Sequence, residues 1–193
     1  MSLPFPELGD PLPISADPGL LDILARRRST PAQALGLPGP SPQQVRDLIA
    51  LGARAPDHGK LAPWRLVIIE GDARSRAGAR LAEIALRRHP ALDEAGLDIE
   101  RRQFLPAPLT IGVIFCPKQS AKAPELEQLL SAGNVCFNLV NAAFALGFSG
   151  KCIAFFDRAS DGLGPHSGQQ LVHRCWFLCH RVFKRKRGKR LVA

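Results

Sequence analysis

No apolar run in this 193-residue chain approaches 18 residues, so a membrane-spanning helix is not expected. The N-terminal MSLPFPELGDPLP has no basic segment followed by an apolar one. No secretory leader is therefore read, and the cytoplasm is the expected address. Cysteine is scarce and odd in number, five in all, too few for a dense disulfide scaffold and best read as reduced thiols. Charged residues are 22% and apolar residues 46%, proportions that exclude global disorder and collagen-like sequence. Internal repeats are absent. The length fits a single domain around one core.

The formal net charge of +9 suggests nucleic acid until it is divided along the chain. Residues 1–150 carry 16 Lys and Arg against 15 Asp and Glu, whereas residues 151–193 carry ten against two. Basicity is a property of the tail. Three of the cysteines, Cys152, Cys175 and Cys179, lie there too, while Cys116 and Cys136 sit in apolar segments and read as small buried hydrophobes.

The first sixteen residues are proline-rich and aperiodic and predict an extended arm. Asp17-Pro18 is an N-cap followed by proline at the first helical position, and Leu20, Leu21, Ile23 and Leu24 supply an apolar stripe up to Arg26. Ser41, Pro42 and Gln44 form a capping-box pattern for a second helix with Val45, Leu48 and Ile49 inward. The stretch RAPDHGKLAPW at 54–64 is too rich in Pro and Gly to be regular and predicts a structured loop. A buried strand over Arg65–Glu70, a helix over 73–88 with Leu81, Ile84 and Ala85 inward, and a shorter helix around 93–102 follow. Leu109–Cys116 reads as a second buried strand. From Glu125 to Leu146 the chain is helical and apolar on nearly all sides, which predicts a central helix ended by Gly147. Beyond Gly150 a short apolar patch, 153–156, precedes sequence with no clear strand alternation and no capped helix.

Two constellations could carry chemistry. Arg27, Arg28 and Ser29, at a helix end, gather two guanidiniums and a hydroxyl, the donors that a phosphate needs. The plainer reading makes them cations favoured by a helix C-terminus. In the 54–64 loop, Arg54, Asp57, His58 and Lys60 are held by prolines and a glycine just before a strand, where binding residues concentrate; a solvated surface loop is the alternative.

In this order and spacing, RRS at 27–29, RAPDHGKLAPW at 54–64, the strand RLVIIEG, PLTIGVIF at 108–115 and SAGNVCFNLVNAAFALGFSG at 131–150 resemble the nitroreductase family of flavin enzymes. The likeness is to its short, minimal NAD(P)H nitroreductase branch, and it covers about residues 20–150. The resemblance implies an α+β nitroreductase-like fold with a central, mainly antiparallel sheet flanked by helices. It also implies a homodimer with FMN in clefts at the subunit interface. By the same likeness Arg27, Arg28 and Ser29 would hold the FMN phosphate and ribityl chain. Arg54 and His58 would reach FMN within one subunit or across the interface. Ala142, Ala143, Phe144, Ala145, Leu146 and Gly147 match the stretch that meets the nicotinamide nucleotide, although their apolar character suits helix packing equally well. The implied activity is ping-pong hydride transfer from NAD(P)H to a nitroaromatic, quinone or related small-molecule acceptor. No side chain need serve as a catalytic nucleophile or base, because the flavin carries the chemistry.

The resemblance stops near Gly150. Members of this branch continue with a Trp-containing strand, a final strand and an arm that embraces the partner, and this chain has a basic, cysteine-bearing segment instead. The expected organisation is an N-terminal arm at 1–16, a nitroreductase-like domain at 17–150 and an atypical basic tail at 151–193. A one-base shift of the reading frame over His173–Val182 permits a final strand with a forced glycine, so a frameshifted tail is expected. Three alternatives remain for the tail and the chain: a non-catalytic, truncated or frameshifted scaffold; a polyanion-binding protein acting through KRKRGKR; and a zinc site at His173, Cys175, Cys179 and His180. The basic run lacks interleaved aromatics and a groove-reading helix, so nucleic acid is not the expected partner. The four Cys and His crowd together without paired ligand spacing, so no metal is expected.

Overall fold

In the computed structural model, which describes residues 5–7, 9–11, 15–157 and 170–178, the first helix begins where the Asp17 carboxylate accepts the Gly19 and Leu20 amides. This helix, α1, spans Pro18–Arg26. Its apolar stripe is not buried as the sequence predicts: Leu20, Leu21 and Leu24 are exposed in the single chain. The arm ahead of it forms no helix or strand among its described residues.

Helix α2, Pro42–Gly52, carries the capping box in full, Ser41 accepting the Gln44 amide and Gln44 accepting the Ser41 amide. Strand β1, Trp64–Glu70, is half-buried rather than fully buried, because it forms one edge of the sheet and leaves Ile68 exposed. Helix α3, Ala73–Arg88, packs on α4, Glu94–Arg101. The residues that α3 buries are Gly78 and Ala82, with Leu81, Ile84 and Ala85 half-buried. Close approach of α4 selects small residues there. A Cβ at Gly78 would lie 1.9 Å from the Arg101 carbonyl oxygen.

Strand β2, Leu109–Phe115, is buried almost throughout and pairs antiparallel with β1, Val67 opposite Gly112. Helix α5, Glu125–Ala145, lies against the sheet and closes the main core with Val45, Leu48, Leu109, Ile111, Val113, Val135, Leu139 and Phe148. Each such large side chain, fully withdrawn from water, contributes about 1.5–3 kcal/mol. Cys136 is buried in this core, as expected of a small hydrophobe. The helix stops at Gly147, whose φ of 84° suits glycine. There Phe148 donates its amide to Ala143 O at 2.8 Å and Gly147 donates to Phe144 O at 3.0 Å.

After this turn the sequence reading requires correction. Strand β3 runs Ser149–Asp157, across the expected boundary at 150, and strand β4 occupies Gln170–Leu178. The sheet order is β1-β2-β4-β3, antiparallel throughout, so β4 is an interior strand paired on both sides. Its sequence, QLVHRCWFL, mixes polar and apolar residues without period-two alternation. Backbone pairing to two neighbours can hold such a segment where side-chain patterning gives no signal. Cys179, His180 and the basic run 184–190 lie outside the described residues.

Among the described residues no helix is long and apolar enough to cross a membrane. The α3–α4 contact makes a specific demand: Gly78→Ala should lower stability by about 2 kcal/mol or more, since the obstructing atom is backbone and cannot rotate away. Urea unfolding checks this, and an unchanged midpoint would mean that the two helices are not so close.

Candidate functional site

The RRS segment begins where α1 ends. Arg27 is the C-cap residue and donates its amide to Ile23 O at 2.9 Å. The Arg28 guanidinium donates through Nη1 to the carbonyls of Ala25, at 3.3 Å, and Arg27, at 3.0 Å. The plainer role, a cation on helix-end carbonyls, is therefore real, and one nitrogen of the fork performs it. The remaining N–H groups of that fork and the exposed Ser29 hydroxyl remain available to an anion. Arg26 is engaged separately with Asp22, whose hydrogen bond raises its pKa above the ordinary arginine value. Thr30 donates its amide to Gly150 O at 3.1 Å, which ties the segment to the start of β3, just past the C-terminal end of α5.

The 54–64 loop is set against the opposite end of α5. Ser131 donates its hydroxyl to Pro56 O, and His58 Nδ1 meets Glu127 Oε2 at 2.9 Å. Within the loop the Asp57 carboxylate accepts the Ala62 amide at 2.7 Å, and Lys60 donates its amide to Asp57 O at 3.1 Å. Gly59, Lys60 and Ala62 all have positive φ, at 82°, 54° and 44°. For Lys60 and Ala62 that conformation costs about 1 kcal/mol each and persists because the hydrogen bonds and the buried Pro63 fix the chain on both sides. Pro63 O in turn accepts the Cys116 amide at 2.9 Å, which anchors the loop exit beside β2. Arg54 is exposed, its guanidinium carbon 5.7 Å from the centroid of the Phe5 ring, within cation–π range.

The N-terminal turns of α5 fasten a second loop as well. Gln128 is buried and fully used: Nε2 donates to Lys118 O at 2.9 Å and Ala123 O at 2.8 Å, and Oε1 accepts the Lys118 amide at 2.8 Å. Glu127, Gln128 and Ser131 are thus three anchoring side chains that sequence reasoning passed over. Their signal was available in the polar positions that interrupt an otherwise apolar helix.

Within one chain the predicted residues form two groups rather than one. Arg27, Arg28 and Ser29 lie near the C-terminal end of α5, and Arg54 and His58 belong to the loop fixed at its N-terminal turns. At 1.5 Å per residue the helix between them is about 30 Å long. The third set is divided by burial. Ala142 and Ala143 are in the main core, Phe144 and Leu146 are half-buried, and Ala145 and Gly147 are exposed.

Comparison with known proteins agrees with this architecture. The family model described as "Nitroreductase family" matches residues 24–172, extending past Gly150 through β3 and into β4. A protein of Escherichia coli (strain K12) named "Putative NAD(P)H nitroreductase YdjA" is 36% identical over 130 residues, 67% of this chain and 69% of its own length. Among solved structures, the nitroreductase-like family protein from Bacillus cereus superposes with a TM-score of 0.64 at 16% identity, covering 92% of this chain and 94% of that one. The FMN-dependent nitroreductase NfnB from Mycobacterium smegmatis, in complex with NADPH, gives a TM-score of 0.60 at 16% identity over 84% and 87%. These structures share the fold with this chain. The family match over most of the sequence, together with the α+β fold and its antiparallel sheet, establishes that the chain belongs to the nitroreductase family.

Proposed function

We propose that this chain is an FMN-dependent NAD(P)H oxidoreductase of the nitroreductase type, acting as a homodimer in which each FMN is held by residues of both copies. The observation that carries this reading is the surface of α5 between the two residue groups. Leu126, Leu130 and Phe137 are 67%, 60% and 52% exposed, with Gly133 between them, a stripe at spacings of three and four residues. The exposed Leu20, Leu21 and Leu24 of α1 add to the uncovered apolar surface. Two copies related by a two-fold axis can cover such stripes with each other. When the α5 helices run antiparallel, the RRS segment of one copy comes beside the 54–64 loop of its partner. Gly133, with nothing within 4 Å of a Cβ built there, leaves room for close helix approach.

The donor chemistry fits FMN. Arg27 and Arg28 supply guanidinium forks and Ser29 a hydroxyl for a phosphate. Arg54 and His58, on a loop of fixed shape, would approach the same cofactor from the partner. Of the segment 142–147, Phe144, Ala145 and Gly147 reach the surface and are the members able to line a nucleotide cleft, whereas Ala142, Ala143 and the half-buried Leu146 pack in or against the main core. Bound FMN would supply the redox chemistry, taking hydride from NAD(P)H and passing it, in ping-pong order, to a nitroaromatic, quinone or related acceptor. The protein's part is to pair charge, orient the cofactor and keep water from its face.

For the tail we hold to a shifted reading frame, supported by the run at residues 181–190, which carries seven Lys and Arg and no acid. Sequencing the gene across codons 145–180 tests that directly.

Purified protein should be yellow and bind FMN. Arg28→Ala should weaken binding by about 1.5–3 kcal/mol, the value of a charge-assisted hydrogen bond, as read by quenching of FMN fluorescence. Equal affinity in the two proteins would remove Arg28 from the site. Placing a charge in the α5 stripe with Leu130→Glu should convert a dimer into monomers in sedimentation and lose FMN at the same time. A monomeric parent that binds FMN tightly would contradict the shared site.

A further inference from the structure

We propose that Glu127 is a positioning residue for His58, fixing the tautomer of its ring so that Nε2 is presented to the cofactor as an acceptor. The inference rests on the FMN reading above and gives that site a member that no motif marked. The His58 and Glu127 side chains are both about half exposed, 57% and 51%, and meet at 2.9 Å between Nδ1 and Oε2. A carboxylate only accepts, so the hydrogen in this contact belongs to Nδ1. In the neutral ring Nε2 then carries the lone pair. Among the described residues Nε2 has no partner, and more than half of the side chain faces outward.

An exposed acid–histidine pair on mobile elements would signify little. Here both sides are held. Glu127 is in the first turn of α5, just ahead of the anchors Gln128 and Ser131, and Ser131 ties the same helix to Pro56, two residues before His58. On the other side, Asp57 closes the loop through the Ala62 amide, and the positive-φ residues Gly59, Lys60 and Ala62 define its path. The ring is therefore carried by backbone of one shape, and Glu127 selects its rotation and tautomer. This is the arrangement by which a carboxylate orients a working imidazole. Arg54, Asp57 and Lys60 are the other charged groups of the loop; the two cations offer no acceptor, and the Asp57 carboxylate is turned to the Ala62 amide, so Glu127 is the acceptor that meets Nδ1–H.

The test reads the ring and the cofactor separately, on the full chain with 15N-labelled histidine. Long-range 1H–15N spectra at about pH 8.5, above the ordinary histidine range, report the tautomer, and His58→Ala identifies the signal. The parent should show Nδ1–H, Glu127→Gln should keep it through its amide oxygen, and Glu127→Ala should revert to Nε2–H. FMN affinity should fall about three- to tenfold in Glu127→Ala, less in Glu127→Gln, and Glu127→Ala should cost nothing further in a His58→Ala background. If the parent binds FMN and Glu127→Ala leaves both tautomer and affinity unchanged, the positioning role is overturned and the cofactor reading stands. If the parent binds no FMN, the cofactor reading fails and takes the role of Glu127 with it.

Discussion

The need to cover α5 on every side governs this molecule. One side of the helix builds the main core against β2 and α2, with Val135, Leu139 and Ala143 fully buried. The opposite side holds Leu126, Leu130 and Phe137 in water. At about 25 cal/mol per Å², apolar area of that kind gives a strong drive to association, and a contiguous stripe on a helix is a specific way to satisfy it. Because the candidate site residues sit at the two ends of α5, the proposed dimer would cover the stripe and assemble the site in one event.

The helix also organises its surroundings through a few polar side chains. Glu127, Gln128 and Ser131 hold the 54–64 and 118–123 segments, and Gly147 turns the chain so that Gly150 meets Thr30. The loop that carries Arg54 and His58 can tolerate left-handed residues at Lys60 and Ala62 because its two ends are fixed to α5 and β2. A loop held in one shape by its anchors would lose little entropy on binding the proposed cofactor.

Much of this was legible in the sequence, for identifiable reasons. Asp17, Ser41 and Gln44 are local capping signals, and the structure places α1 and α2 where they predict. The apolar runs before Cys116 and after Ser131 marked β2 and α5. The failures were non-local. Burial of Gly78 and Ala82 in place of Leu81 depends on how closely α4 approaches, which no property of α3 alone discloses. Strand β4 depends on partners on both sides, and its mixed composition hid it. For the candidate site, RRS and the 54–64 loop were visible as motifs. Their distance from each other within one chain, and the contact of His58 with Glu127, required the fold.

The central claim is that one FMN takes Arg28 from one copy and His58 from the other. Mixing separately prepared Arg28→Ala and His58→Ala chains under conditions of subunit exchange, and then measuring FMN binding to the hybrid, tests it most directly. A shared site predicts that each hybrid dimer regains one site with both residues intact, so that half of its sites bind FMN with the affinity of the parent. If every site in the hybrid binds as weakly as in the two single variants, both residues serve the FMN of their own chain and the account is wrong.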